Sequence, residues 1–376
     1  MPAVALVHGS RRYDGHAVHF RMYWTALANR RYPVSVYTCV DPSSASEYPD
    51  WGTPILGRRL VRWGRIEEGF NRLFPVYAKK IGSLPEELVH VNDVYLAPAA
   101  RFRDRVLVSV ADLATAYTSW HPRIPTWIHN RNMRSLNLAS GIICHSEFVR
   151  KELATHTQIP EHRVHLVPLF SMLPPGSAPT EESRRPPTPD APWKVLYVAT
   201  DRPWKNLAFF LEVLRRLDDR FRGVLVSRLT PSTKRLVSSW KLGTRLDVME
   251  NQPNLLGVYR ASHLFLFPSQ YEGFGIPLLE AMSQGLPVLA SDRTAVPETV
   301  GTGGEILPLD DSKVWADAVS RLTEWRAYER ASRKALERSR QFTSDLTADR
   351  LISAYASSEQ GVRSQPPSAP ARNREA

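Results

Sequence analysis

Short apolar runs alternate with helical patterns twice over, on either side of a proline-rich seam, and this alternation constrains the chain most. In the first half, strand-like runs stand at 4–8, 34–38, 88–92, 106–110, 141–145 and 164–167; in the second, at 194–200, 223–227, 264–268, 287–291 and 305–307. Apolar residues at three- and four-residue spacing fill many of the gaps, notably 17–30, 207–217, 277–283 and 314–322. Strands buried on both faces and separated by crossover helices run parallel. The pattern predicts an α/β chain: two Rossmann-like, doubly wound parallel-sheet domains facing each other across a cleft at the carboxyl ends of their strands.

The seam, LPPGSAPTEESRRPPTPDAP at 173–192, holds seven prolines. They deny ladder hydrogen bonds and favour extended, solvated chain. The expected organisation is an N-terminal domain over 1–172, this linker, and a C-terminal domain over 193–340. A helix over 341–358 then crosses back to the N-terminal domain, and a polar, proline-bearing tail over 359–376 is expected to be disordered.

The formal charge is +11, from 49 Lys and Arg against 38 Asp and Glu. Such an excess implies an anionic partner without choosing among nucleotide, phosphorylated lipid, membrane surface and nucleic acid. Residues 1–175 hold 21 of the basic and 14 of the acidic side chains. The N-terminal half is therefore expected to meet a different partner from the C-terminal half. No apolar run approaches the ~20 residues of a membrane span, and MPAVALVHGS reads as a first strand, not a secretion leader. Two cysteines, Cys39 and Cys144, argue for a reducing cytosol over a disulfide framework.

The stretch Pro268-Ser-Gln-Tyr-Glu-Gly-Phe-Gly-Ile-Pro-Leu-Leu-Glu-Ala-Met282 carries the chemistry. A strand runs into a turn through Gly273 and Gly275, and a helix opens with Pro277 in its first turn. Such a unit aims unpaired amides and a positive dipole end at an anion. Glu272 and Glu280 flank the loop. Eight residues at helical rise separate them by about 12 Å, too far for the paired carboxylates of a glycosidase. That span suits the two ends of a nucleotide sugar. From spacing alone, an ordinary turn with solvent-facing glutamates stands equally open.

The stretch resembles the signature of retaining GT-B glycosyltransferases of family four, the E-x7-E group, in Glu272-Gly-Phe-Gly-Ile-Pro-Leu-Leu-Glu280. The likeness continues through Gly285-Leu-Pro-Val288, Ser291-Asp292 and Pro297-Glu298, with Tyr259-Arg260-Ala261-Ser262 upstream. The resemblance implies that Glu272 contacts the donor sugar and Glu280 the ribose. The amides of Gly273, Phe274 and Gly275 would meet sugar and diphosphate. Lys205 matches the family lysine that neutralises the departing diphosphate. The family's usual arginine is Thr200 here, and Arg202 is expected to substitute, its reach suiting phosphate. Glu298 is expected among the donor contacts or in a structural role.

On the N-terminal side, Gly15 after Asp14 resembles the family's glycine loop and would leave room for donor phosphate or acceptor. His16 touches donor or acceptor, or is an exposed loop histidine; both readings stand. In Val108-Ser-Val-Ala-Asp112, Ala111 occupies the place of a histidine that many members hold beside the reacting sugar. Alanine can neither hydrogen-bond a hydroxyl nor move a proton. Asp112 either takes over contact with sugar or acceptor, or caps the following turn, and His121, His129 and Asn130 are candidates for the vacated space. Ser146 and Glu147 read first as an N-cap and a first-turn carboxylate.

Arg58, Arg59, Arg62, Arg65, Arg72, Lys79 and Lys80 are interleaved with apolar residues at helical spacing over 58–81. This is a basic aromatic helix for an anionic membrane, or an ordinary helix with a solvated face, and Gly64, Gly69 and Pro75 argue against one uninterrupted helix. The expected function is retaining transfer of a hexose from a UDP- or GDP-linked sugar to a glycan or lipid-linked acceptor, in cell-surface glycan or glycolipid synthesis. The expected location is the cytoplasm, with peripheral association at the inner face of the membrane. No cofactor is expected, and without an Asp-x-Asp triplet no metal is implied. The rivals are a non-catalytic GT-B protein that binds nucleotide or glycan, motivated by Ala111 and Thr200, and an epimerase or phosphorylase on the same architecture. A nucleic-acid binder has only the charge in its favour and is not expected.

Overall fold

The computed structural model describes residues 1–8, 15–38, 58–59, 76–113, 126–178, 180, 191–250 and 252–360. Among these residues, two wholly parallel sheets organise it. The N-terminal sheet has seven strands in the order β3-β2-β1-β4-β5-β6-β7: β1 (Val4–His8), β2 (Val34–Thr38), β3 (Arg58–Arg59), β4 (Leu88–Val91), β5 (Val106–Ser109), β6 (Gly141–Cys144) and β7 (Val164–Leu166). The C-terminal sheet has six in the order β10-β9-β8-β11-β12-β13. They are β8 (Trp193–Val198), β9 (Phe221–Val226), β10 (Leu246–Met249), β11 (Leu264–Phe267), β12 (Val288–Ser291) and β13 (Glu305–Leu307). Strands β1, β4, β5, β6, β11 and β12 are buried at every position, the reason each reads as an unbroken apolar run.

Helices α1 (Gly15–Asn29), α2 (Val76–Gly82), α3 (Thr126–Leu136) and α4 (Glu147–His156) belong to the first sheet. Helices α5 (Leu207–Arg216), α6 (Pro231–Ser239), α7 (Leu255–Ala261), α8 (Ile276–Ser283), α9 (Val296–Val300), α10 (Ser312–Arg321) and α11 (Trp325–Ser339) follow in the second. Helix α12 (Ser344–Gln360) then packs on α1 of the first domain. It is fixed there by Arg30 on Asp345 and Asp349 and by Thr347 Oγ1 donating to Pro168 O at 2.7 Å. A single buried apolar cluster accordingly joins the domains, from Leu6 and Phe20 through Leu351 to Phe274 and Leu278.

Two expectations need correction, and one strand is absent from the expected set. The helical spacing over 58–81 does not form one helix: Arg58–Arg59 is an edge strand beside Tyr37 and Thr38, and helix begins only at Val76. Residues 60–75 lie outside the described residues. Strand β10 follows no long apolar run; its half-exposed positions hide it from a search for buried strands. The last helix extends to Gln360, two residues into the stretch expected as tail, while 361–376 lies outside the described residues.

Strand order reverses direction between β1 and β4 in one sheet and between β8 and β11 in the other. At such switch points the loops leaving adjacent strands diverge and open a crevice at their carboxyl ends. The loops after β8 and β11 hold Lys205 and Glu272.

Candidate active site

Lys205 ends a single 3₁₀ turn, Pro203–Lys205, closed by Asn206 in the left-handed conformation. Its Nζ donates to Glu272 Oε1 at 2.7 Å, where the glutamate side chain is only 9% exposed and the lysine 22%. Two residues 67 apart in sequence thus form one ion pair across the β8/β11 switch point. The backbone behind Lys205 is held as well, its carbonyl accepting from Tyr197 Oη at 3.1 Å. Arg202 stands exposed at the start of the same turn, its guanidinium 5.9 Å from the centroid of the Trp204 ring.

The loop from β11 to α8 is tied through its carbonyls and through the amides of Gln270 and Glu272. Gln270 N donates to Trp204 O at 2.7 Å, and Ser291 Oγ to Ser269 O at 2.5 Å. Thr294 Oγ1 accepts the Glu272 amide at 2.9 Å, and Thr299 Oγ1 donates to Phe274 O at 2.5 Å. Thr294 has φ +50°, a conformation that costs a β-branched residue about 1–2 kcal/mol. In this conformation its hydroxyl accepts the Glu272 amide. Gly275 has φ +97° and precedes the first turn of α8. The amides of Gly273, Phe274 and Gly275 donate to no acceptor among the described residues. Beside a helix N-terminus, three such donors favour an anion. The Phe274 ring is buried in the interdomain core, edge-on to His145 and Phe342.

Glu280 lies a turn into α8. Its Oε2 accepts from Tyr259 Oη at 2.8 Å, and burial pushes its carboxyl up to about 7 against the opposing pull of that hydrogen bond. Burial, followed by the nearby Glu280 charge, holds the Tyr259 hydroxyl well above its usual range.

From the N-terminal domain, Ala111 and Asp112 meet the loop directly. A Cβ on Gly273 would fall 1.8 Å from Ala111 O and 3.0 Å from Asp112 Cβ, so only glycine fits. Tyr271 Oη donates to Glu152 Oε2 on α4 at 2.5 Å. Burial raises the Glu152 carboxyl, against the lowering effect of the Tyr271 hydrogen bond and of His156. Tyr271 and Glu152 thus join the glycine loop to α4 at the domain junction.

The structure brings together Glu272, Lys205, Gly273, Phe274, Gly275 and Asp112, while Glu280 sits farther along α8. Glu298 is placed differently from a donor contact. Its Oε1 and Oε2 accept the amides of Glu147 and Phe148 at 2.8 and 3.2 Å, which commits the carboxylate to the start of α4. Gly15 and His16 open α1; His121 lies outside the described residues. Sequence reasoning missed Glu152, Tyr271 and Thr294. Glu152 has the spacing of any helix-surface acid, and only the other domain gives it a partner. Tyr259 stood within the matched stretch without a role.

Two family models match, described as Glycosyltransferase Family 4 over residues 13–170 and Glycosyl transferases group 1 over residues 192–324. Together they span more than three quarters of the chain. The O-antigen chain mannosyltransferase B of Escherichia coli is 34% identical over 174 residues, 43% of this chain and 45% of that protein. The lipopolysaccharide core biosynthesis mannosyltransferase LpsB of Rhizobium meliloti is 35% identical over 130 residues, 33% of this chain and 37% of that protein. In both, the match spans less than half of the relative's own length. Among solved structures, Anabaena HepE in complex with UDP-glucose superposes with a TM-score of 0.73 at 16% identity, covering 95% of this chain and all of that one. Sucrose-phosphate synthase from Thermosynechococcus elongatus does so at 0.73 and 21%, covering 95% of this chain and 98% of that one. These likenesses establish the GT-B architecture. The chain belongs to the family-four, group 1 glycosyltransferases, with the first family model on its N-terminal sheet and the second on its C-terminal sheet.

Proposed function

We propose that the chain is a retaining glycosyltransferase that moves a hexose from a nucleoside-diphosphate sugar to a glycan or lipid-linked acceptor. The observation that carries this reading is the Lys205–Glu272 pair at a switch point, beside three glycine-loop amides with no acceptor among the described residues. A diphosphate entering there meets the Lys205 ammonium, the Arg202 guanidinium and the N-terminus of α8. As the anomeric carbon–oxygen bond breaks, these groups take up the charge that develops on the leaving phosphate. In a retaining transfer the acceptor hydroxyl attacks from the face just vacated, and its proton passes to the departing phosphate oxygen. Glu272 then faces the sugar, and Glu280 accepts from the ribose hydroxyls. Domain closure excludes water and limits hydrolysis of the donor.

The relatives named above make a mannosyl donor and a surface-polysaccharide or lipopolysaccharide acceptor the first combination to test, with UDP-hexoses second. Donor consumption with and without acceptor, screened over UDP- and GDP-sugars, tests the reading. Donor binding without turnover for any acceptor favours the non-catalytic alternative, which Ala111 supports: a backbone carbonyl, not an imidazole, meets the loop there. We place the enzyme at the inner face of the membrane. Among the described residues no helix is long and apolar enough to cross one, so attachment would be peripheral. Phe102 and Leu138, 49% and 52% exposed, are candidate anchors, flanked by exposed Arg101 and Arg134. Co-sedimentation with anionic vesicles at low salt is expected; its absence removes this placement.

A further inference from the structure

Helix α4 meets the C-terminal domain at successive points along its length. At its start Ser146 Oγ accepts the Val149 amide at 3.2 Å and donates its own proton to Gly273 O at 2.7 Å. The next two amides, of Glu147 and Phe148, donate across the cleft to Glu298. The Phe148 ring then meets Tyr271 edge-on with centroids 5.8 Å apart, and Glu152 accepts from the same tyrosine one turn later. First-turn amides have no acceptor within their helix, and they carry the positive end of its dipole. Here a carboxylate from the other domain occupies that end, and the capping hydroxyl is shared with the glycine loop.

Glu298 is itself braced. Arg338 on α11 donates Nη2 to Glu298 O at 2.6 Å and Nε to Thr299 O at 3.1 Å, while Thr299 Oγ1 holds Phe274 O. The loop, α9 and α11 are therefore bonded into one piece that faces α4. We propose that Ser146 and Glu298 are positioning residues that latch this piece shut against α4, so that closure of the cleft, and not affinity for the donor, depends on them. The kinetic consequence rests on the transferase reading; the structural one does not.

Amide hydrogen exchange on the free full-length protein tests the latch without a substrate. In Glu298→Ala, protection at Glu147 and Phe148 is expected to fall about tenfold or more, with β8 and β11 unchanged. Unchanged protection at these amides overturns the proposal. Ser146→Ala and the near-isosteric Glu298→Gln carry the same test should the alanine variant not fold, each expected to loosen the first turn of α4. With a working donor, Glu298→Gln is expected to lower kcat about tenfold while nucleoside-diphosphate Kd stays within about twofold. A parallel loss of nucleotide affinity overturns it by making Glu298 a donor contact. Lost protection in a protein that never turns over supports the latch and sinks the transferase reading, so the two fail separately.

Discussion

Lys205 and Glu272 cannot be changed singly without cost to both stability and chemistry. Lys205→Met leaves a carboxylate that is 9% exposed without its cation, a loss of about 2–3 kcal/mol in a denaturant melt. It should also lower turnover about a hundredfold through the missing charge on the leaving group. Equal loss in Lys205→Arg would point to geometry, since arginine keeps the charge but not the shape. Glu280 makes a second prediction, opposite in sign to the usual carboxylate. Its folded value is raised from 4.5 to about 7, so between those limits the folded chain binds the extra proton. Its contribution to stability is present below pH 4.5 and is lost as pH rises towards 7. Glu280→Gln removes this slope. Thermal melts of both proteins over that range should show wild type losing ground to the variant as pH rises, and parallel curves would refute the assignment.

Among the elements, the loop between β11 and α8 is the least tolerant. Gly273→Ala would drive a methyl group into Ala111 O and must part the domains at that point. It is expected to abolish turnover while the C-terminal domain still folds, which circular dichroism and nucleotide binding would separate. Gly275→Ala acts by a different route, through its φ of +97°, and should cost about 1–2 kcal/mol of stability. The need for glycine at both positions was legible as a turn before a helix. That Gly273 faces another domain was not, because nothing near it in sequence specifies Ala111 as its neighbour. Helix α4 teaches the same lesson: Ser146 reads as an N-cap and is one, but its second hydrogen bond is made to a residue 127 positions away.

At the scale of the whole molecule, α12 is the fastener. Tyr355 Oη and His90 Nδ1 stand 2.8 Å apart, His90 Nε2 meets Ser109 Oγ at 2.7 Å, and Ser109 donates to Tyr23 Oη at 3.1 Å. Burial, and secondarily His145, lowers His90 to about 3, so it stays neutral while an unfolded histidine would gain a proton near 6.5. Its contribution is full above pH 6.5 and is lost as pH falls towards 3, opposite to that of Glu280. In the overlap of the two windows the slopes oppose each other, and Glu280→Gln should expose that of His90. Tyr355→Phe leaves a buried ring nitrogen without its hydroxyl and should cost about 1–3 kcal/mol in urea, with an added loosening of α12 visible by hydrogen exchange.

By itself the sequence determined the alternation of strands and helices, hence the two parallel sheets, because buried strands need apolar side chains on both faces. It also determined where the glycine loop and its two glutamates lie, since turn chemistry and helix entry are local. Tertiary structure alone decided that Lys205 pairs with Glu272, that Glu298 serves α4, and that α12 closes the first domain with Tyr355 on His90. Each of those contacts joins residues from separate elements. A side chain's local pattern states that it is charged or polar; only the packing of the two sheets decides which partner is close enough to satisfy it.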